Sequence, residues 1–379
     1  LPLAIHEIEA KTILRKHKKI DSWFLSRYGM NIYRGCSHNC VYCDGRSEGY
    51  YVDGDFGTDV TVKINAVDVL RRELDPQRKR TPLLPGYILL GGGVGDSYQP
   101  VEEKYKITRK TLAFLAEKKL PVHVLTKSTL VKRDIDLLRT INETSRVIIS
   151  MSFSSTNTII SKIFEPGVPL PQERLETLAF FKDEGFHCGM FLMPVIPFIT
   201  DTREILHDTI HDAKKTGVDF IICGGMTLKD GKQKDYFFNC LQKHYPDLFL
   251  EYKMIYKQST WGEPTTEYTT QLYQTFHALM NLYKIPKRIP PELFKDIVTE
   301  NDRVIIILEH LDYLYKMDGK KSPFGFAAYS ISQLHVPLSS MRYQLRQIKG
   351  VGATTEKIIQ EILNTGSSKY YERLLKGDE

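Results

Sequence analysis

Three cysteines fall in one short run, Tyr33-Arg34-Gly35-Cys36-Ser37-His38-Asn39-Cys40-Val41-Tyr42-Cys43. Thiolates are soft ligands that suit iron-sulfur clusters and zinc. Cys36, Cys40 and Cys43 can each hold one iron of a cubane 4Fe-4S cluster, and with no fourth cysteine nearby the remaining iron is open to a non-protein ligand. An open iron is a place for chemistry. A closed zinc site made by the same cysteines with His38 is the other metal reading, although such sites usually draw their ligands from two separated pairs. A disulfide framework is disfavoured. Six cysteines in 379 residues are sparse, a chain of this size needs no covalent staples, and no signal-peptide-like segment precedes the loop, so a reducing cytoplasm is the expected setting. Cys188 and Cys223 lie in apolar runs and Cys240 follows Phe237-Phe238-Asn239; all three read as buried small hydrophobes.

A reactive loop needs a frame, and the sequence around this one alternates short apolar runs with longer amphipathic stretches. Strands are expected at 31–33, 86–90, 121–125, 146–151, 187–193 and 218–223. Helices are expected at 66–74, 103–117, 135–140, 172–184 and 202–216. Six such units make an α/β protein, a partial (β/α)6 TIM-like barrel rather than a complete eight-stranded one. In barrels of this kind the site gathers at the C-terminal ends of the strands, and the cysteine loop follows the first expected strand.

The frame is expected to fill residues 1–252. From about Lys253 aromatic and helical residues dominate, interrupted by Ile285-Pro286-Lys287-Arg288-Ile289-Pro290-Pro291. This stretch, 253–340, reads as a helical extension packed on the barrel or capping its mouth. Residues 341–379 close the chain with Leu345-Arg346-Gln347-Ile348-Lys349-Gly350-Val351-Gly352-Ala353-Thr354-Thr355-Glu356-Lys357-Ile358-Ile359. A helix, a Gly-x-Gly turn and a second helix resemble the helix-hairpin-helix DNA-binding motif. Gly350 and Gly352 would let the backbone approach a phosphate, amides at the following helix N-terminus would bind it without reading sequence, and Lys349 and Lys357 would add charge. A hairpin that only supports structure or another protein carries the same pattern.

Composition is that of an ordinary globular enzyme, with 42% hydrophobic and 26% charged residues. No apolar run is long enough to span a membrane. The formal charge of +6 admits a polyanionic partner without requiring one.

The CxxxCxxC spacing, with Tyr42 before the last cysteine, resembles the signature of the radical S-adenosylmethionine (radical SAM) enzymes. The likeness extends over about residues 11–255 to the spore photoproduct lyase-like, or DNA-repair photolyase-like, branch. It is carried by Asn31-Ile32-Tyr33-Arg34-Gly35-Cys36, Gly93-Val94-Gly95-Asp96-Ser97-Tyr98-Gln99-Pro100, Thr126-Lys127-Ser128, Ser150-Met151-Ser152, Glu165-Pro166-Gly167 with Arg174, and Pro194-Val195-Ile196-Pro197. It implies a 4Fe-4S cluster, SAM chelating the open iron, a 5'-deoxyadenosyl radical that abstracts hydrogen, and a reducing donor such as flavodoxin or ferredoxin.

Within that resemblance Gly91, Gly92 and Gly93 would hold the methionine end of SAM, or else form a tight turn. Lys127 would pair with the SAM carboxylate and Ser152 would bond the ribose or carboxylate. Tyr42 would pack on adenine or relay an electron and proton. Asp96, Tyr98 and Gln99 would meet a nucleobase edge or orient SAM, or else cap the turn before Pro100. Glu165 and Arg174 would form an internal salt bridge. Two positions depart from the lyase, which has a tyrosine after its third cluster cysteine and a further cysteine as hydrogen donor. Here Asp44 occupies the first place, and residues 86–100 contain no cysteine. The expectation is therefore a relative of the lyase that acts on a nucleic acid, DNA or RNA, in repair or modification. The alternatives are a radical SAM enzyme for a small molecule or peptide, and a non-catalytic iron-sulfur or zinc module.

Overall fold

The computed structural model describes residues 3–50, 52, 54–78, 82–257, 259 and 261–377. Among the described residues ten strands are formed: β1 (Ala4–Ile8), β2 (Leu14–Asp21), β3 (Ser26–Met30), β4 (Tyr33–Arg34), β5 (Asp59–Lys63), β6 (Tyr87–Gly91), β7 (Val122–Thr126), β8 (Val147–Phe153), β9 (His187–Val195) and β10 (Phe220–Gly225). Seven of them make one curled sheet in the order β10-β9-β8-β7-β6-β3-β2. β3 and β6 to β10 pair in parallel, and β2 returns antiparallel along β3. The six parallel strands are those of a partial barrel.

Their apolar runs are buried on both faces, as parallel strands covered by helices must be. Val124 lies opposite Ile149, and Ile149 opposite Cys188, in one fully buried row. The covering helices are α1 (Ala66–Glu73), α2 (Glu102–Tyr105), α3 (Ile107–Glu117), α4 (Ile135–Thr144), α5 (Thr158–Phe164), α6 (Pro171–Asp183) and α7 (Arg203–Lys215).

The first barrel strand differs from the expected 31–33. It is β3, whose Ser26 and Arg27 break the apolar pattern although both are buried. Tyr33 and Arg34 instead pair with Val62 and Thr61 in a separate sheet, ordered β1-β5-β4, which the sequence did not suggest. The single helix expected at 103–117 is two, because Lys106 takes a left-handed φ of +53° between α2 and α3.

After β10 come α8 (Lys232–His244), α9 (Phe249–Ile255), α10 (Thr266–Tyr283), α11 (Glu300–Met317), α12 (Phe324–Ser332), α13 (Ala353–Thr365) and α14 (Lys369–Lys376). α9 runs across residue 252, where the frame was expected to end. It packs with α8 on the cluster loop: Phe237, Leu241, Tyr252 and Tyr256 share one buried cluster with Cys40, Val41 and Tyr42.

The next segment meets both ends of the barrel: Tyr268 donates to Asp201 beyond β9 (2.7 Å) and Gly262 O accepts from Leu228 N (2.6 Å), while residues 285–298 stopper the N-terminal end. Tyr87 at the start of β6 donates to Leu293 O (2.5 Å), Ile221 N donates to Pro286 O (2.9 Å), and Arg146 grips Asp296 (2.6 Å). Arg288 is buried between the rings of Trp23 and Tyr313, 3.9 and 3.6 Å from their centroids. α11 then joins both edges of the open sheet, through Lys19–Glu309 to β2 and through the Tyr313 hydroxyl to Cys223 O on β10 (3.1 Å).

At the C-terminal hairpin, the expected first helix is only a 3-10 turn at Leu345–Gln347. Between Pro337 and Gly350 the chain is short, and two 3-10 turns use most of it. Gly350 then takes φ +87°, and Gly352 caps α13. No helix among the described residues is long and apolar enough to cross a membrane.

Candidate active site

The cysteine loop carries almost no regular structure and is held from four directions. Val41 N donates to Phe164 O at the end of α5 (2.8 Å), and Gly167 N to His38 O (3.1 Å). Gln99 Nε2 donates to Gly35 O (3.1 Å), while its amide oxygen accepts from Ser37 N (3.0 Å). On α8, Gln233 Nε2 donates to Tyr42 O (3.1 Å). Gly167 is required at its place, since a Cβ there would stand 2.6 Å from Ser37 O and 2.8 Å from His38 O.

So held, Cys36, Cys40 and Cys43 line one cavity of about 390 Å3 at the C-terminal ends of the strands. Tyr42, Gly92, Gly93, Asp96, Lys127 and Ser152 line it too. The barrel rule is met, and sequence positions far apart are brought to one place. Three expected residues are elsewhere. Gly91 lies in a neighbouring groove instead; a Cβ on it would fall 1.9 Å from Leu125 O, so its φ of +87° serves a close approach between β6 and β7. Tyr98 is fully buried and absent from the cavity wall. The turn that starts α2 directs its ring into the core, where Asp134 and Glu102 are the nearest charges. It cannot meet a substrate, and Gln99 serves the cysteine loop rather than a ligand.

Asp96 does both things expected of it. It lines the cavity, and it also caps the turn, accepting from Tyr98 N (2.8 Å), Thr126 Oγ1 (2.7 Å) and Lys127 N (2.7 Å). Lys127 is no solvated surface lysine: its Nζ donates to Ser152 Oγ (2.9 Å) and pairs with Glu165 (3.1 Å), 5.6 Å from the centre of the Tyr42 ring. The Ser152 hydroxyl in turn donates a hydrogen bond to Met193 O (2.9 Å).

Glu165 is the hub the sequence understated. One oxygen takes Lys127 and the Tyr42 hydroxyl, and the other takes Arg174 (2.5 Å) and Ser161 (3.1 Å). Burial pushes its carboxyl up, but Arg174 and Lys127 outweigh burial and hold it well below the usual carboxylate range. The Tyr42 phenol is pushed well above its ordinary value by burial and by Glu165, so it stays protonated as a donor.

His38 and Asp44 also line the cavity. His38 Nδ1 stands 3.4 Å from Asp96, and burial lowers its imidazole pKa against the pull of that carboxylate. Asp44 accepts from Thr227 (2.6 Å) and Gln233 (3.1 Å) and pairs with Lys229 (3.2 Å). A cavity-facing role for them had no signal beyond their place beside the cysteines.

Among the described residues no three His, Cys, Asp or Glu converge on a single metal position. Cys36, Cys40 and Cys43 are spread over one wall of the cavity, an arrangement that suits a cluster in which each iron takes one thiolate. Burial raises all three thiols, Cys40 to about 12. Burying three thiolates without a cationic centre would be costly, and binding iron would supply the missing charge. Cys188 and Cys223 are fully buried away from the cavity, and Cys240 is only partly buried.

Comparison with known proteins agrees with this geometry. Residues 30–213 match the radical SAM superfamily and residues 299–368 a helix-hairpin-helix domain, which begins within the stretch read above as the helical extension. An uncharacterised protein of Mycobacterium tuberculosis is 29% identical over 297 residues, 76% of this chain and 85% of the relative. One from Methanocaldococcus jannaschii is 28% identical over 59% of this chain and 78% of its own length. The fold is shared with spore photoproduct lyase complexed with dinucleoside spore photoproduct, at a TM-score of 0.53 and 15% identity over 74% of this chain and 79% of the lyase. A second lyase structure, with AdoMet and the dinucleoside bound, superposes equally at 0.53. The superfamily implies a 4Fe-4S cluster and SAM as cofactors, which the thiol-lined cavity suits. The chain is thus an enzyme of the radical SAM type, with its radical SAM domain at residues 30–213 and a helix-hairpin-helix domain in the same polypeptide.

Proposed function

We propose that this enzyme abstracts hydrogen from a base or sugar of a nucleic acid, in repair or modification. The observation that carries the reading is the pairing, in one chain, of a thiol-lined radical SAM cavity with a helix-hairpin-helix domain whose Lys349, Gly352 and Lys357 are exposed. When bound, the cluster and SAM supply a 5'-deoxyadenosyl radical. Cys36, Cys40 and Cys43 hold the cluster, Gly92 and Gly93 offer backbone groups to the amino-acid end of SAM, and Lys127 offers its ammonium to the carboxylate. Ser152 and Glu165 orient that ammonium, and Tyr42 packs at the cavity wall as a neutral phenol.

The chemistry differs from that of spore photoproduct lyase itself. Among the described cavity-lining residues there is no fourth cysteine to return a hydrogen atom, and Asp44 stands after the last cluster cysteine. The test is anaerobic: reconstitute iron and sulfide, reduce, add SAM, and quantify 5'-deoxyadenosine with ultraviolet-damaged DNA, intact DNA, bulk RNA or no polymer. Stimulation by one polymer is expected. Equal formation under all four conditions would remove the nucleic acid and point to a small molecule or peptide.

A further inference from the structure

The strand β2 contains an unbroken basic run, Arg15-Lys16-His17-Lys18-Lys19, at the edge of the barrel sheet. Charge on an exposed edge discourages pairing with another chain, but that alone does not account for what lies beside it. Arg15 and His17 line a groove of about 690 Å3 together with Asn31, Tyr33, Arg34 and Tyr50. The far wall of the groove is Gly92 to Asp96, the same segment that walls the thiol cavity. Groove and cavity are therefore two chambers on either side of one glycine-rich partition.

The groove wall holds an unmet donor or acceptor. His17 Nε2 is buried and finds no hydrogen-bond partner among the described residues. Gly29 on β3 is paired across from Arg15 and lies beside that nitrogen, lining the same groove. A buried polar atom without a partner is costly unless a ligand completes it. The other end of β2 leads to the helix-hairpin-helix domain: Lys19 pairs with Glu309 on α11, and α11 packs against α13, the helix behind the hairpin. Cationic and aromatic groups along a groove fit a single polynucleotide strand, whose phosphates meet the charge and whose bases stack.

Resting on the nucleic-acid reading above, we propose that β2 and its groove bind the phosphodiester backbone of a single-stranded segment, DNA or RNA, flanking the nucleotide that enters the thiol cavity. The hairpin holds the polymer at a distance, and β2 leads it to the partition.

The experiment uses the full, cluster-reconstituted chain and 12-nucleotide single strands of DNA and of RNA, with affinity measured by fluorescence anisotropy across a salt series. The variant Arg15→Gln/Lys16→Gln/Lys18→Gln changes exposed side chains only. Its affinity is expected to fall at least tenfold, with a salt slope flatter by about 0.7 for each phosphate that is no longer neutralised. Formation of 5'-deoxyadenosine without polymer should be unchanged. Lys349→Glu/Lys357→Glu is measured in parallel. If the wild type binds and only the hairpin variant weakens, the groove proposal falls while the nucleic-acid reading stands. If the wild type binds neither single strand at low salt, the proposal falls. If duplex DNA, measured alongside, is then not bound either, the nucleic-acid reading falls with it. Weaker binding by the β2 variant with DNA alone or with RNA alone supports the groove and names the polymer.

Discussion

At Glu165 one buried carboxylate satisfies two cations and a phenol, so its value lies in what it holds still. In Glu165→Gln the Arg174 guanidinium, fully buried, would lose its charged partner. Breaking a buried pair in this way costs about 3–5 kcal/mol, and chemical denaturation should show a loss of that order. The Lys127 ammonium would also be released from its fixed place. SAM should then bind more weakly in the variant even where the chain still folds, and unchanged SAM affinity would remove Glu165 from the positioning of Lys127. Glu165 and Arg174 were legible as an ion pair because both stand near the end of one expected unit. The link to Tyr42 and Lys127 was not, because it joins residues 123 and 38 positions away in sequence. Tyr98 shows the reverse error: it lies two residues past Asp96, yet the turn that aims Asp96 into the cavity buries the tyrosine behind it.

Two neutral histidines lock elements together at the stoppered end. On β7, His123 Nδ1 donates to Phe24 O (2.8 Å) and Nε2 accepts from Ser150 on β8 (2.8 Å). On α11, His310 Nε2 donates to Ser22 O (2.9 Å) while Nδ1 accepts from Tyr371 on α14 (2.6 Å). Burial lowers their pKa values, to about 4 and about 3. Each unfolded imidazole takes a proton below about 6.5 while the folded one refuses it, so stability is full above that pH and falls as pH drops towards 4. For His123 the loss is about 3 kcal/mol. Urea denaturation between pH 7 and 4 should show this fall, and His310→Gln should flatten it; an equally steep profile in the variant would exclude His310 as a source. The parallel strands themselves were readable to within a few residues because they are nearly continuous apolar runs. β3 was not, since its buried Ser26 and Arg27 are polar, and Arg27 is neutralised by Asp302, 275 positions later.

On the scale of the whole molecule, the helical part is not an independent body resting on a barrel. One contiguous core runs from Ile13 through the strands to Ile289, Phe294, Val304 and on to Leu375. Differential scanning calorimetry of the full chain should therefore give one cooperative transition, and a fragment ending at residue 252 should not fold stably. Two separated transitions would instead make the helix-hairpin-helix domain autonomous. The sequence pattern could not show that one part of the middle region, residues 285–298, covers the strand N-termini. That depends on Pro286, Leu293 and Asp296 meeting strand N-termini, contacts that composition does not encode.

The stopper has a kinetic meaning. With the strand N-termini covered by residues 285–298, the cavity at the opposite strand ends is approached from the mouth side. The polymer substrate proposed above, lying across that side, would obstruct passage to and from whatever sits deeper. Small ligands would then arrive before it and leave after it, a compulsory order of binding.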